Sequence, residues 1–144
     1  MPAPLQPWLN LEGSMTQAIA HHFGQAPQVE VHFSGADNLH VWEQQTFLPN
    51  AKLAAGYARH ISLNIGERPV LLARSVTPDG SPVEALLCGL QTTPLARLLF
   101  EDAQWVRIGS PIALQTSGHL FGRACLWQHL RDNGQLIVEE FFNF

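Results

Sequence analysis

The chain has 144 residues, 46% hydrophobic and 14% charged, with a formal net charge of -4. That size suits one domain, able to bury roughly two-thirds of its unfolded surface without disulfides or a structural metal. Its cations are Lys52 and seven arginines, no two adjacent, which leaves out the basic footprint of nucleic-acid binding, and no apolar run approaches the ~20 residues of a membrane span.

The opening stretch MPAPLQPWLNLEGSM lacks both the positive n-region and the continuous apolar h-region of a secretory signal, which points to the cytoplasm. Ser14-Met15-Thr16-Gln17 has the form of a capping box and predicts a helix over Met15 to Phe23, closed by Gly24. Val29, Val31 and Phe33 then alternate with polar residues as in a strand, and a weaker strand is expected around Leu39 to Trp42. Residues 43–56 read as irregular or partly helical. Tyr57 to Ile65 is the clearest strand, residues 66–69 a turn, and Val70 to Val76 its antiparallel partner.

Pro78, Gly80 and Pro82 mark a loop before a short helix over Glu84 to Leu90. A further helix begins at TTPLARLLF, with Thr93 as N-cap and Pro94 in the first turn, where its missing N–H costs nothing. Gln104 to Ile108, Leu120 to Leu130 and Gln135 to Phe142 read as strands, the last two joined by the hairpin signal Asp132-Asn133-Gly134. Long antiparallel strands with helices between them predict an α+β domain whose helices pack on one face of the sheet.

Within this pattern the arginines stand out. Arg59 shares parity with Tyr57, Ile61, Leu63 and Ile65, so it points where a strand should present core. An unpaired buried charge costs several kcal/mol, so Arg59 needs an internal acid or an anionic ligand. Arg74, in phase with Val70, Leu72 and Val76, raises the same question, and the two together suggest an anion site in an apolar cavity. Glu139 and Glu140 are candidate internal acids of the last strand, and parity does not choose between them. The helix start at Thr93-Pro94-Leu95 offers free N–H groups and a positive dipole end to a carboxylate. Seven histidines form no H-E-x-x-H or Cys-paired pattern, so no metal site is expected. G-x-S-x-G and the glycine-rich phosphate loops are absent too. Cys88 and Cys125 each sit in an apolar run and read as buried free thiols.

The ordered set WLNLEGSMT, YARHISL, LLARSVTP, TPLARLLF, GRACLW and LIVEEFF resembles that of chorismate pyruvate-lyases, nearly end to end. The resemblance implies an α+β fold with an enclosed ligand cavity. It implies conversion of chorismate to 4-hydroxybenzoate and pyruvate, without metal or organic cofactor, for ubiquinone biosynthesis. Carried over by motif, it makes Met15, Arg59, Leu95 and Glu140 the ligand-contacting residues, with Arg59 and Glu140 the catalytic pair. Arg74 and Arg123 become secondary candidates. The chain departs from the family where it has Ala58 and His60 beside Arg59, and Ala124 after Arg123. Expected partners are chorismate and its product alone, bound by a monomer. The alternative is a non-catalytic module for a small anion, of the fold class found in effector domains of bacterial transcription regulators; no DNA-binding domain accompanies it in this chain.

Overall fold

In the computed structural model, which describes residues 1–144, one six-stranded antiparallel sheet organises the chain. A 3-10 turn (Ala3–Leu5) and α1 (Gln6–Leu9) lead into α2 (Met15–Phe23), β1 (Gln28–Ala36), α3 (Val41–Phe47), β2 (Gly56–Ile65) and β3 (Arg68–Pro78). Then come α4 (Val83–Leu90), α5 (Leu95–Glu101), β4 (Trp105–Gln115), β5 (Phe121–His129) and β6 (Gln135–Phe142). The strand order β1-β2-β3-β6-β5-β4 joins two runs of three strands through the β3–β6 pairing.

Local signals account for most of these limits. Ser14 accepts the Gln17 N–H at 3.2 Å to start α2, and Gly24 ends it at φ 74, a left-handed conformation that costs glycine nothing. The predicted bounds of β6 are those observed. β4 runs on to Gln115, past the predicted Ile108, because a bulge between Ile108 and Ile112 re-registers it against β5.

The strand expected at Leu39 to Trp42 does not form. Instead α3 starts at Val41, and the His40 N–H donates to Glu43 Oε1 at 2.6 Å in a reciprocal cap, so local capping outweighs a two-residue apolar alternation. The α5 start also shifts by one residue, with Pro94 rather than Thr93 as N-cap. Cys125 is buried as expected, whereas Cys88 is exposed on the outer side of α4.

Three apolar clusters cover the sheet. Val83 and Leu87 of α4 and Leu99 of α5 pack on Cys125, Trp127, Leu136 and Val138. Met15 and Ile19 of α2 pack on Ile61, Leu63, Leu71 and Phe142. These two clusters form the helix-covered face. On the other face, Leu39 and Leu48, which flank α3, close over Ala58, Val76, Leu126 and Ile137. The two central strands β3 and β6 are therefore covered on both sides at Val76 and Ile137, and open on the far face around Leu72.

Close approach of β5 and β6 depends on Gly122. A Cβ there would overlap the Glu140 carbonyl oxygen and come within 2.6 Å of Phe141 Cδ1, so backbone would have to move. Gly122→Ala is expected to cost about 2 kcal/mol, lowering the thermal midpoint by about 4–8 °C. An unchanged midpoint in calorimetry would contradict this packing.

Candidate functional site

Between the helix-covered face and the helices lies a cavity of about 50 Å³. Met15 at the start of α2, Leu95 and Phe100 of α5, Trp127 of β5, and Val138 and Glu140 of β6 are among its walls. Three of the four residues singled out by motif, Met15, Leu95 and Glu140, thus meet around one space.

The fourth, Arg59, sits on the same face beneath the turn between α4 and α5. It pairs in register with Ser75, and Ser75 with Val138 of the cavity wall, which places the Arg59 and Val138 backbones about 10 Å apart at the usual strand spacing. Arg59 is 2% exposed and makes no ion pair. Its Nη2 donates to the carbonyls of Gln91 (3.0 Å) and Thr93 (2.8 Å), while Nη1 has no partner at all. Burial lowers its pKa from the ordinary arginine value, as expected for a cation without an acid beside it. The carbonyl it holds at Gln91 belongs to a residue at φ 52, a conformation unfavourable for any side chain but glycine. The N–H groups of Leu95 and Ala96, just beyond this turn, find no acceptor in the chain.

Glu140 lies two residues along β6 from Val138. Arg123 of β5, opposite Glu140 in register, donates from Nε to Glu140 Oε1 at 2.9 Å. Arg123 Nη1 also reaches the Leu11 carbonyl at 2.6 Å, a group shared with Arg107 at 3.0 Å. The connection between α1 and α2 is therefore tied to the acid of the cavity. Arg123, given little weight by sequence, is a wall residue.

Arg74 does not join this site, contrary to the expectation of two arginines around one anion. Its register partner is His60, the neighbour of Arg59, so it projects from the opposite face of the sheet. There Nε and Nη2 bind both oxygens of Glu43 at 3.0 Å, Nη1 binds Asp37 at 2.6 Å and His60 Nε2 at 2.9 Å, and Nη2 also binds the Asn38 carbonyl at 3.1 Å. Since an arginine donor inventory has five N–H groups, Arg74 is saturated. Burial, and then the charge of Arg74, hold His60 below its ordinary value.

Glu139 faces the same side and is 3% exposed. Burial pushes its carboxyl up to about 9, with Glu43 adding to the rise. Burial opposes ionisation of Glu43 as well, yet hydrogen bonds from Glu139, Arg74 and the His40 N–H bring it down to about 2. The pair thus shares one proton, carried by Glu139. Sequence reading missed Glu43 and Asp37 as members of this cluster. The His40-x-x-Glu43 spacing carried the signal, as a cap that starts a helix.

The departures from the family pattern fall on this far face. Ala58 and Ala124 are fully buried there, and His60 bonds Arg74; none of the three lines the cavity. No group of three or more His, Cys, Asp or Glu side chains is placed to hold a metal ion. No helix is long and apolar enough to cross a membrane.

A six-stranded antiparallel sheet with helices packed against it, and a small, mostly apolar cavity beneath α2 and α5, defines an α+β fold. The chorismate lyase family model matches residues 1–143. The chain belongs to the chorismate lyase family. Among solved structures it resembles the effector domain of PhnF from Mycobacterium smegmatis, with TM-score 0.59, 10% identity, and coverage of 91% of this chain and 88% of that one. It also resembles the ligand-binding domain of a putative GntR-family transcriptional regulator from Bordetella bronchiseptica, with TM-score 0.57, 9% identity, and coverage of 81% and 85%. At such identities these likenesses show a shared fold. Among curated proteins no match is found.

Proposed function

We propose that the protein is a chorismate lyase that eliminates pyruvate from chorismate to give 4-hydroxybenzoate, for ubiquinone biosynthesis, with neither metal nor organic cofactor. The observation that carries this reading is Arg59, a buried cation with no acid beside it and an unpartnered Nη1. A ligand carboxylate is the counter-ion that such a group lacks, and the free N–H groups at Leu95 and Ala96 add donors next to it. Glu140, on the cavity wall while Arg59 lies beyond it, faces the ring hydroxyl, and its bond to Arg123 fixes its aim. Met15 packs against the ring.

Elimination breaks the C3–O bond and removes the hydrogen at C4, and aromatisation supplies the driving force. The leaving enolpyruvate takes up a proton to become pyruvate. No strong nucleophile is required. The protein's part is to orient the enolpyruvyl arm in a water-poor space while Glu140 polarises the hydroxyl or accepts a proton. The space of about 50 Å³ is far below the roughly 300 Å³ of common ligand sites. Substrate entry therefore requires α5 and the α1–α2 connection to move outward, and a closed site retains product.

The test is direct: purified protein in EDTA, incubated with chorismate, is expected to form 4-hydroxybenzoate and pyruvate in equal amounts. Glu140→Gln is expected to lower kcat by about 10²–10⁴ while the fold is kept. The fold shared with two regulator ligand-binding domains favours a second reading, a binding module without turnover. Chorismate or 4-hydroxybenzoate bound tightly and recovered unchanged, with no pyruvate at micromolar protein, would establish that reading instead.

A further inference from the structure

The corner of the site around Glu140 holds more positive charge than that acid can balance. Arg123 of β5 is a wall residue and 4% exposed. Its Nε serves Glu140 and its Nη1 the Leu9 and Leu11 carbonyls, while Nη2 has no acceptor in the chain. Arg107 of β4 stands beside it, opposite Trp127 of the same wall in register. Its one hydrogen bond runs from Nη1 to the Leu11 carbonyl, and no acid pairs with it. Two guanidinium nitrogens thus lie within 3.0 Å of a single oxygen.

A neutral carbonyl does little to offset two neighbouring cations. Glu140 is the one acid that pairs with either of them. Glu12, next along the α1–α2 connection, is exposed and pairs with neither. The Cys125 thiol, between Arg123 and Trp127 on one face of β5, lies in the fields of Arg123, Glu140 and Arg107 together. This corner therefore carries two positive charges against one negative, with guanidinium donors left over, which is the chemistry that receives a carboxylate.

Chorismate has two carboxylates, and Arg59 accounts for the one on the ring. The enolpyruvyl arm leaves from C3, next to the C4 hydroxyl that faces Glu140, so its carboxylate falls on the side of Arg123 and Arg107. Arg107 is not a wall of the closed cavity. It is uncovered when the Leu11 carbonyl withdraws, in the same outward movement of the α1–α2 connection that entry requires.

We propose, on the basis of the lyase reading, that Arg107 and Arg123 together bind the carboxylate of the enolpyruvyl arm, in exchange for the Leu11 carbonyl that holds them in the ligand-free protein. Charge-assisted hydrogen bonds to a carboxylate are stronger than those to a neutral carbonyl, so the exchange favours the substrate. Departure of pyruvate returns both guanidiniums to Leu11. Arg107 thereby sets a preference for the dianionic substrate over a ligand with the ring carboxylate alone.

Two stable probes separate the second charge from the first: 3-(carboxymethoxy)benzoate, a dianion, and 3-(carbamoylmethoxy)benzoate, an amide of nearly the same shape with a single charge. In titration calorimetry at pH 7.5 the native chain is expected to bind the dianion at least about tenfold more tightly than the amide. Arg107→Gln, which can still donate to the Leu11 carbonyl, is expected to lose that preference, to keep its affinity for the amide, and to raise KM for chorismate at least about tenfold. Arg107→Lys, which keeps the charge, is expected to recover most of the preference. The proposal is overturned if the native chain binds both probes alike, or neither at millimolar concentration. It is overturned as well if Arg107→Gln keeps the preference, or loses both probes in equal proportion, which would make Arg107 scaffold. If Arg107→Gln does not fold, Arg107→Met takes its place, and the native comparison alone can still overturn the proposal. Chorismate recovered unchanged from the native chain overturns the lyase reading instead, and the two probes then still decide the role of Arg107.

Discussion

Arg59→Met is expected to abolish carboxylate binding, at a cost of about 3–5 kcal/mol in affinity, while the ligand-free protein stays folded. That loss corresponds to roughly 10²–10⁴-fold in kcat/KM for chorismate. The two halves of the expectation have separate physical causes. The guanidinium is buried with no ion-pair partner, so removing it relieves an uncompensated charge in the ligand-free chain. Against that relief stand the Gln91 and Thr93 carbonyls, which lose their donor, at about 1 kcal/mol each. The terms nearly cancel, and the denaturation midpoint without ligand should move little. With 4-hydroxybenzoate present, native protein should gain thermal stability by mass action and the variant should not. Turnover near the native rate would remove Arg59 from the site. A variant that unfolds without ligand would show instead that Arg59 is scaffold, tied to the α4–α5 turn.

Arg59 also shows what strand parity reveals and what it withholds. Alternation within YARHISL identified a core-facing arginine, because parity along one strand needs no knowledge of its neighbours. The same argument failed for Arg74. Which face a second strand presents depends on its register with the first, and the pairing of His60, not Arg59, with Arg74 is set by the turn after Ile65 and the irregularity at Leu63 and Asn64. Parity was silent on Glu139 and Glu140 for a different reason. β6 is central and buried on both faces from Leu136 to Glu139, so an apolar run there carries no period to read. Motif order broke that tie in favour of Glu140, which lines the cavity, whereas Glu139 lines a groove on the far face. The far-face cluster is out of reach of the sequence, since Glu43 enters it only through a helix that starts at Val41, inside a stretch whose alternation reads as a strand.

That cluster makes the second large effect one of pH. In the unfolded chain Glu43 and Glu139 both titrate near 4.5, whereas in the folded chain they lie at about 2 and about 9. Above about pH 5 the native state keeps a proton on Glu139 that the unfolded chain has released, so raising the pH favours unfolding, by at most about 1.4 kcal/mol per pH unit until Glu139 itself ionises. Below about pH 4.5 the sign reverses. There the unfolded chain takes up a proton at Glu43 that the native state, with Arg74 against that carboxylate, refuses until about pH 2. The pair therefore contributes most to stability near pH 5 and loses ground on both sides. Glu139→Gln removes only the alkaline limb, because an amide can donate to Glu43 as the protonated acid does and never ionises. Urea unfolding of both proteins is expected to give similar stabilities at pH 5 and a variant more stable by about 2–4 kcal/mol at pH 8. Parallel pH profiles for the two proteins would mean that Glu139 is ionised at neutral pH in the folded chain. The fully buried Glu43 and the 3% exposed Glu139 would then each be charged beside the single guanidinium of Arg74, an arrangement that burial strongly disfavours.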